Sequence, residues 1–363
     1  NLTTPLSVTN NGLIELTSAV SSYSAQLTVG GGLVNASGAS ITTLVGTGGP
    51  RTIAAQLDNQ GLVTLNQPLT LSHASAAHSN SGTIDASGAD FTLTQSGTAP
   101  SFTNLSTGRL TVGAGRTLTV NGGTFTQGGT LNGGGTLTLN TATSNFNNAF
   151  TLGALNVTGG TASFATDLST GVQALNFVAA AISGPGTITN PVGQTLTIQS
   201  ATFNTDLINQ GTLVTDGAST VAATNAFTAS AGSMLRLRAT GSTGNSTFTA
   251  APFTNDGAIE LTTTVSAYSA TLNVSGTGLL TNAPTGTITT LVGTGGPRTI
   301  NAQVNNLGSI TVHPGPSSSG ILNIIGSLTT SGTLNMELGG TVAGAGYSHV
   351  TVTGVASLGG TLN

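Results

Sequence analysis

The sequence predicts an all-β fold, a parallel β-solenoid of about fifteen coils of roughly 19–27 residues each. Three observations lead there. A motif of asparagine, glycine and then alternating apolar residues recurs along most of the chain. Only 4% of the 363 residues are charged while 53 are glycine, and 37% are apolar, a composition of turns and small-residue strands rather than of helices. A long block is also written twice, with Ile41 to Ile53 recurring unchanged at Ile288 to Ile300.

The short repeat sets the winding. It appears at Asn10-Gly12-Ile14-Leu16, Asn59-Gly61-Val63-Leu65, Asn80-Gly82-Ile84, Asn209-Gly211-Leu213, Asn255-Gly257-Ile259-Leu261 and Asn306-Gly308-Ile310-Val312. Looser versions at Asn35-Gly38-Ile41, Asn104-Gly108-Leu110, Asn190-Gly193-Leu196 and Asn282-Gly286-Ile288 fill most of the gaps. Successive asparagines from Asn10 to Asn104 stand 25, 24, 21 and 24 residues apart, and those from Asn255 to Asn306 stand 27 and 24 apart. Each motif reads as a turn feeding a strand, one per coil.

Within a coil, side-chain alternation does the sorting. In Gly115-Arg116-Thr117-Leu118-Thr119-Val120-Asn121-Gly122-Gly123, Leu118 and Val120 face inward while Thr117 and Thr119 face water. Gly and Asn then turn the corner, since both accept positive φ at low cost. Coils stacked in parallel at about 4.8 Å bring the asparagines of successive coils within bonding distance, which predicts an amide ladder along the stack. The glycine-rich stretch Gly115 to Gly160 keeps its apolar alternation and is expected to form tighter coils, with a linker as the alternative. Thr166 to Ile182 departs from the pattern and is expected to be a widened coil or a short helix.

The chain is expected to be one continuous solenoid over 1–363, with a long internal repeat in which 10–65 matches 255–312 and with terminal coils at 331–363. The offset between the copies is 245 residues early and 247 later, placing a two-residue insertion around Ser275 to Thr285. Such a duplication suggests a window onto a longer repetitive protein.

Composition removes several function classes. The basic residues are six arginines with no lysine, too few for the basic stripe that nucleic acid requires. A net charge of −4 with a mean hydropathy of +0.23 argues against disorder. The longest apolar run is too short to insert in a membrane as a helix, and Asn1-Leu2-Thr3-Thr4-Pro5 has no signal-peptide character. There is no cysteine, hence no disulfide or thiolate metal site. His73, His78, His313 and His349 lack metal-ligand spacing and are expected to be exposed polar residues. No cofactor, metal or catalytic residue is expected.

Candidate chemistry rests on few groups. Glycan cleavage on a solenoid needs carboxylates converging on one outer face. Asp85 and Asp90 are the nearest pair, but the intervening Ala86-Ser87-Gly88-Ala89 reads as a turn that points them apart. Glu15 and Glu260 occupy equivalent positions in the two copies and should point outward, as repeated surface charges or as repeated contacts to a neighbouring molecule. Arg51 and Arg298 follow Gly-Gly-Pro in the invariant block. They are expected either to bond nearby carbonyls in a structural loop or to be displayed for an acidic or glycan partner. Thr92-Leu93-Thr94, Thr117-Leu118-Thr119 and Thr136-Leu137-Thr138 could stack into a flat threonine array of the ice-binding kind.

The Asn-x-Gly-x-Ile/Leu coils resemble those of filamentous haemagglutinin and autotransporter passenger domains of bacterial surfaces, whose fold implies a right-handed parallel β-helix here. The segment Ser331-Gly332-Thr333-Leu334-Asn335-Met336-Glu337-Leu338-Gly339-Gly340-Thr341, with Tyr347 and Leu358-Gly359-Gly360-Thr361-Leu362, is similar to one that closes such repetitive regions. Ser348 stands where that segment usually has aspartate. The resemblance implies an extracellular or cell-surface location and a non-catalytic stalk or filament that self-associates. The alternative it implies is an adhesin module recognising a glycan or a cell surface, with glycan cleavage or ice binding behind both.

Overall fold

The computed structural model describes residues 1–276, 278–316 and 319–363. The protein is all-β, with parallel sheets stacked as a solenoid of about 15 turns and no helix among the described residues. By contact density the chain divides into two compact units. The first comprises residues 1–166, 172–176 and 183–185, and the second comprises 167–171, 177–182 and 186–363.

In the first unit the strands of successive windings stack into three walls. Leu13–Leu16, Ser40–Thr43, Leu62–Leu65, Thr83–Ala86, Arg109–Val112 and Thr130–Asn132 stack into a six-stranded parallel sheet. Leu69–Ser72, Phe91–Thr94, Thr117–Asn121, Thr136–Asn140 and Ala154–Thr158 stack along a second wall. Ala77–Asn80, Ser101–Asn104, Thr124–Gln127, Thr143–Phe146 and Thr161–Phe164 form the third. Two longer strands, Ala25–Asn35 and Arg51–Asn59, run through both of the latter walls.

The second unit repeats the plan. Its nine-stranded sheet runs from Leu168–Ser169 and Ile188–Asn190 through Leu207–Asn209, Phe227–Ala229, Phe253–Asn255, Leu279–Asn282, Gln303–Asn306 and Leu328–Thr330 to Ala356–Leu358. A second wall contains Thr195–Gln199, Thr212–Asp216, Met234–Ala239, Ala258–Thr263, Thr287–Thr290, Ser309–Val312 and Thr333–Met336. A third contains Ser246–Ala250, Ala270–Val274, Arg298–Asn301, Ile321–Ile325 and His349–Val352. The repeat motif changes its place in the coil between copies. After Asn10 the chain enters the six-stranded sheet, whereas Asn255 ends a strand of the nine-stranded sheet.

Alternation fills the core as expected: Leu118, Val120, Leu137, Leu139, Leu155 and Val157 are buried while Thr117, Thr119, Thr136 and Thr138 are not. The amide ladder is present and buried. Nδ2 of Asn10 donates to Oδ1 of Asn35 at 2.8 Å, and Asn35 to Asn59, Asn59 to Asn80 and Asn80 to Asn104 follow, each at 2.7 Å. Asn104 donates to Oε1 of Gln127 at 3.1 Å. The same Nδ2 atoms also reach main-chain carbonyls of the next coil, as Asn35 does to Leu62 and Asn59 to Thr83, which satisfies turns that would otherwise leave buried acceptors unpaired. Beyond Gln127 this inward column turns aromatic, with Phe146 and Phe164 in register and their rings 4.9 Å apart.

A second ladder runs through the second unit, from the Thr170 hydroxyl to Asn190 and on to Asn209, and again from Asn255 through Asn282 and Asn306 to the Thr330 hydroxyl. It is interrupted at Ala229, the register partner of both Asn209 and Asn255. The buried Oδ1 of Asn255 is left with no partner among the described residues.

Glycine tightens the coils between Gly115 and Gly160. Bonded side chains on successive coils there are only 19 and 18 residues apart, Asn140 to Asn121 and Asn156 to Thr138, against 27 for Asp90 and Thr117. The saving comes from two-residue corners at Gly122-Gly123 and Gly159-Gly160, all with φ between 62° and 69°. Thr166 to Ile182 contains no helix. It holds Leu168–Ser169, Ala174–Val178 and a strand starting at Ala181, with a turn after Ser169. Within the stretch expected to carry the two-residue insertion, Thr277 lies outside the described residues.

Candidate functional surfaces

Arg51 and Arg298 are turned inward. Each is the first residue of a strand and is fully buried. Arg51 donates from Nη1 to the carbonyls of Gly48 (3.0 Å) and Gly49 and from Nη2 to that of Leu44 (2.9 Å). Arg298 donates to Gly296 and, at 3.2 Å, to Leu291. Burial without a carboxylate pushes the Arg298 guanidinium down to about 10. Gly46 and Gly293 are needed beside them, since a Cβ at either would come within about 3 Å of a guanidinium nitrogen and closer still to a carbonyl. The arginines hold their own loops shut, as the structural alternative expects, and neither guanidinium faces solvent.

Glu15 and Glu260 are repeat equivalents with different surroundings. Glu15 is exposed on Leu13–Leu16 and lines an open groove with Ile14, Leu16, Thr17 and Gln26. Glu260 accepts from Nε of Arg236 at 2.7 Å, its register partner in the preceding coil. Beside that pair, Arg238 donates from Nε (3.0 Å) and Nη2 (2.8 Å) to the two oxygens of Asp216, which raises the Arg238 pKa further. Sequence inspection missed this cluster. Its signal was available in the coil period, because Arg236 precedes Glu260 by 24 residues and Asp216 precedes Arg238 by 22.

Most other carboxylates serve the backbone. Asp85 accepts from the main-chain N–H and hydroxyl of Ser87, and Asp90 accepts from the N–H of Thr117 in the next coil. Asp167 and Asp206 cap Thr187 and Ala226 in the same way. Asp58 accepts from Ser79 and Gln60, and Glu337 meets His313. Asp85 and Asp90 thus bond in separate turns. Among the described residues no group of three or more His, Asp or Glu is placed to hold a metal ion.

The histidines correct the sequence expectation of exposure: His73, His313 and His349 are half-buried and His78 is buried. Nδ1 of His78 accepts the N–H of Leu57 at 3.1 Å, and burial, with a smaller contribution from His73, lowers its pKa to about 4. It occupies an inward position in register with Phe102, so the pleat places it inside despite its polarity.

Of the three triplets, Thr117-Leu118-Thr119 stacks in full on Thr136-Leu137-Thr138, whereas Thr92-Leu93-Thr94 is offset by two residues, with Thr92 against Thr119 and Thr94 against Asn121. Thr52, Thr70, Thr92, Thr119 and Thr138 are successive register partners on one outer wall of the first unit. Ser101, Thr124, Thr143 and Thr161 form a column on another, alongside Thr103 and Thr126. These columns are rich in hydroxyls, and Asp58 and Ser79 begin the one that holds Thr103 and Thr126.

No family model, curated protein or solved structure matches this chain.

Proposed function

We propose that this chain is a structural element of an extracellular stalk or filament, exported to or beyond a bacterial surface, whose work is to provide stiff length and which self-associates. The observation that supports it most is the way coils join. Coils meet through parallel strands and, over long stretches, through a buried amide hydrogen bond, and the two repeat copies use the same contacts, Asn10 to Asn35 to Asn59 and Asn255 to Asn282 to Asn306. Because the parallel strand pairing recurs from coil to coil and the ladder contacts recur in both repeat copies, length can be added by copying coils without designing a new interface. Outer walls carrying threonine rather than lysine fit surfaces that pack against one another. The finer assignment, a filamentous haemagglutinin or autotransporter-passenger-like protein, rests on the motif resemblance alone. Electron microscopy of the native material over a range of concentrations tests the proposal. Continuous fibres with a layer line near 4.8 Å are expected, and particles that stay monomeric at high concentration would refute self-association.

A further inference from the structure

In a chain with ten carboxylates and six arginines, four charged side chains fall on three consecutive strands of one outer wall of the second unit, Thr212–Asp216, Met234–Ala239 and Ala258–Thr263. Arg236 and Arg238 are two residues apart on one strand and so face the same way. Their ion pairs are layered. The Glu260 and Asp216 side chains are only 16% and 10% exposed, whereas those of Arg236 and Arg238 are 36% and 40% exposed. The anions lie beneath and the cations on top.

The bonding leaves the outer side of each guanidinium open. Arg236 uses Nε alone, and Arg238 uses Nε and one Nη. A guanidinium carries five N–H donors, so both keep Nη donors without a protein partner among the described residues. The carboxylates also fix the orientation of the planar forks, so a ligand need not order them.

We propose that Arg236 and Arg238 form a binding site for the carboxylates of an acidic saccharide chain. The cluster is neutral as a whole, so it would recognise an anion by hydrogen-bonded contact rather than by long-range attraction. Threonines continue the same surface, Thr197 and Thr289 in the column of Arg236 and Thr262 beside Arg238, and their hydroxyls suit a hydroxylated ligand. An acidic peptide fits less well. A peptide cannot add here as a strand, because the Arg236 strand is paired on both sides, and one held by its side-chain carboxylates alone would leave the neighbouring hydroxyls unused. The proposal stands independently of whether the chain polymerises.

The test is binding to polygalacturonate, with its fully methyl-esterified form as the uncharged control and polyglutamate as the peptide control. Wild-type protein should bind polygalacturonate and neither control. The double variant Arg236→Gln/Arg238→Gln should weaken binding by roughly tenfold or more. Arg236→Lys/Arg238→Lys keeps the charges but removes the forks, and should weaken it several-fold with an unchanged unfolding midpoint. Should the glutamine variant fail to fold, the lysine variant carries the test. Absence of wild-type binding, equal binding of the methyl ester, full binding by the lysine variant, or equal binding of polyglutamate would each overturn the assignment.

Discussion

Replacing Ala229 with asparagine should stabilise the second unit, because Ala229 is the one missing rung between two intact stretches of ladder. Asn209 and Asn255 flank it in register, and the buried Oδ1 of Asn255 lacks a donor. An asparagine in the rotamer used elsewhere would donate to Asn255, accept from Asn209, and reach the carbonyl of Ala258 as Asn190 reaches that of Thr212. A net hydrogen bond contributes about 0.5–1.5 kcal/mol, and relieving an orphaned buried acceptor about 1–3 kcal/mol. Against this stand the lost rotamer freedom of the new side chain and the strain of inserting atoms into a packed interior, together about 1–3 kcal/mol. Phe227 and Phe253, at 5.1 Å between ring centroids, sit on the two strands involved. The central values leave a gain of about 1 kcal/mol, read as a higher midpoint in urea with an unchanged slope. Ala229→Leu, of similar size but without the amide, should destabilise. If Ala229→Asn lowers stability as much as Ala229→Leu does, the interruption is a steric requirement and the missing-rung explanation fails.

Acidification should weaken the first unit through His78. Its folded pKa of about 4 lies below the free value of 6.5, so between those values the unfolded chain binds the extra proton and stability falls as the pH drops from 6.5 towards 4, by roughly 3 kcal/mol in all; urea titrations should show this slope in wild type and lose it in His78→Gln. Thr141 holds φ at 51° at a corner where neighbouring coils use glycine, so Thr141→Gly should gain up to about 1 kcal/mol. Gly160→Ala, whose Cβ would lie 2.2 Å from the carbonyl oxygen of Ala142, should lower the urea midpoint instead. Arg51→Ala should free the loop from Leu44 to Pro50, seen as faster hydrogen exchange at the Gly48 and Gly49 amides, which bond to Ser18 and Tyr23; unchanged exchange would show that the guanidinium is not what holds the loop.

The fold was legible because its period is carried by residues with little choice. Asparagine at fixed intervals marks the ladder, and alternation around Leu118 and Leu137 marks the pleat. What escaped was everything fixed by register rather than by residue type. Ala77-His78-Ser79-Asn80 contains no large apolar residue, so nothing local marks His78 as an inward position until Phe102 is set above it. Arg236 and Glu260 are ordinary charges until the coil period places one over the other. Glu15 and Glu260 look alike in sequence, but register sets Arg236 of the preceding coil against Glu260 and Thr42 of the following coil against Glu15. The identical blocks could not reveal that their motifs feed different sheets, since each copy is locally the same.

Every rung of both ladders points the same way. The amide nitrogen, or the hydroxyl of Thr170, always donates to the residue that comes later in the chain. Aligned dipoles of this kind polarise one another and sum along the axis, so a stack of coils has a head and a tail even where its composition is uniform. In the first unit Gln127 closes the series by folding its amide back on the carbonyl of Gly129, and in the second a threonine hydroxyl stands at each end. A coil moved from one place in a ladder to another should therefore fit, provided that it keeps its sense. A coil presented in reverse would set donor against donor on one side and acceptor against acceptor on the other and be rejected, which gives the stacking of coils a direction without any charged residue.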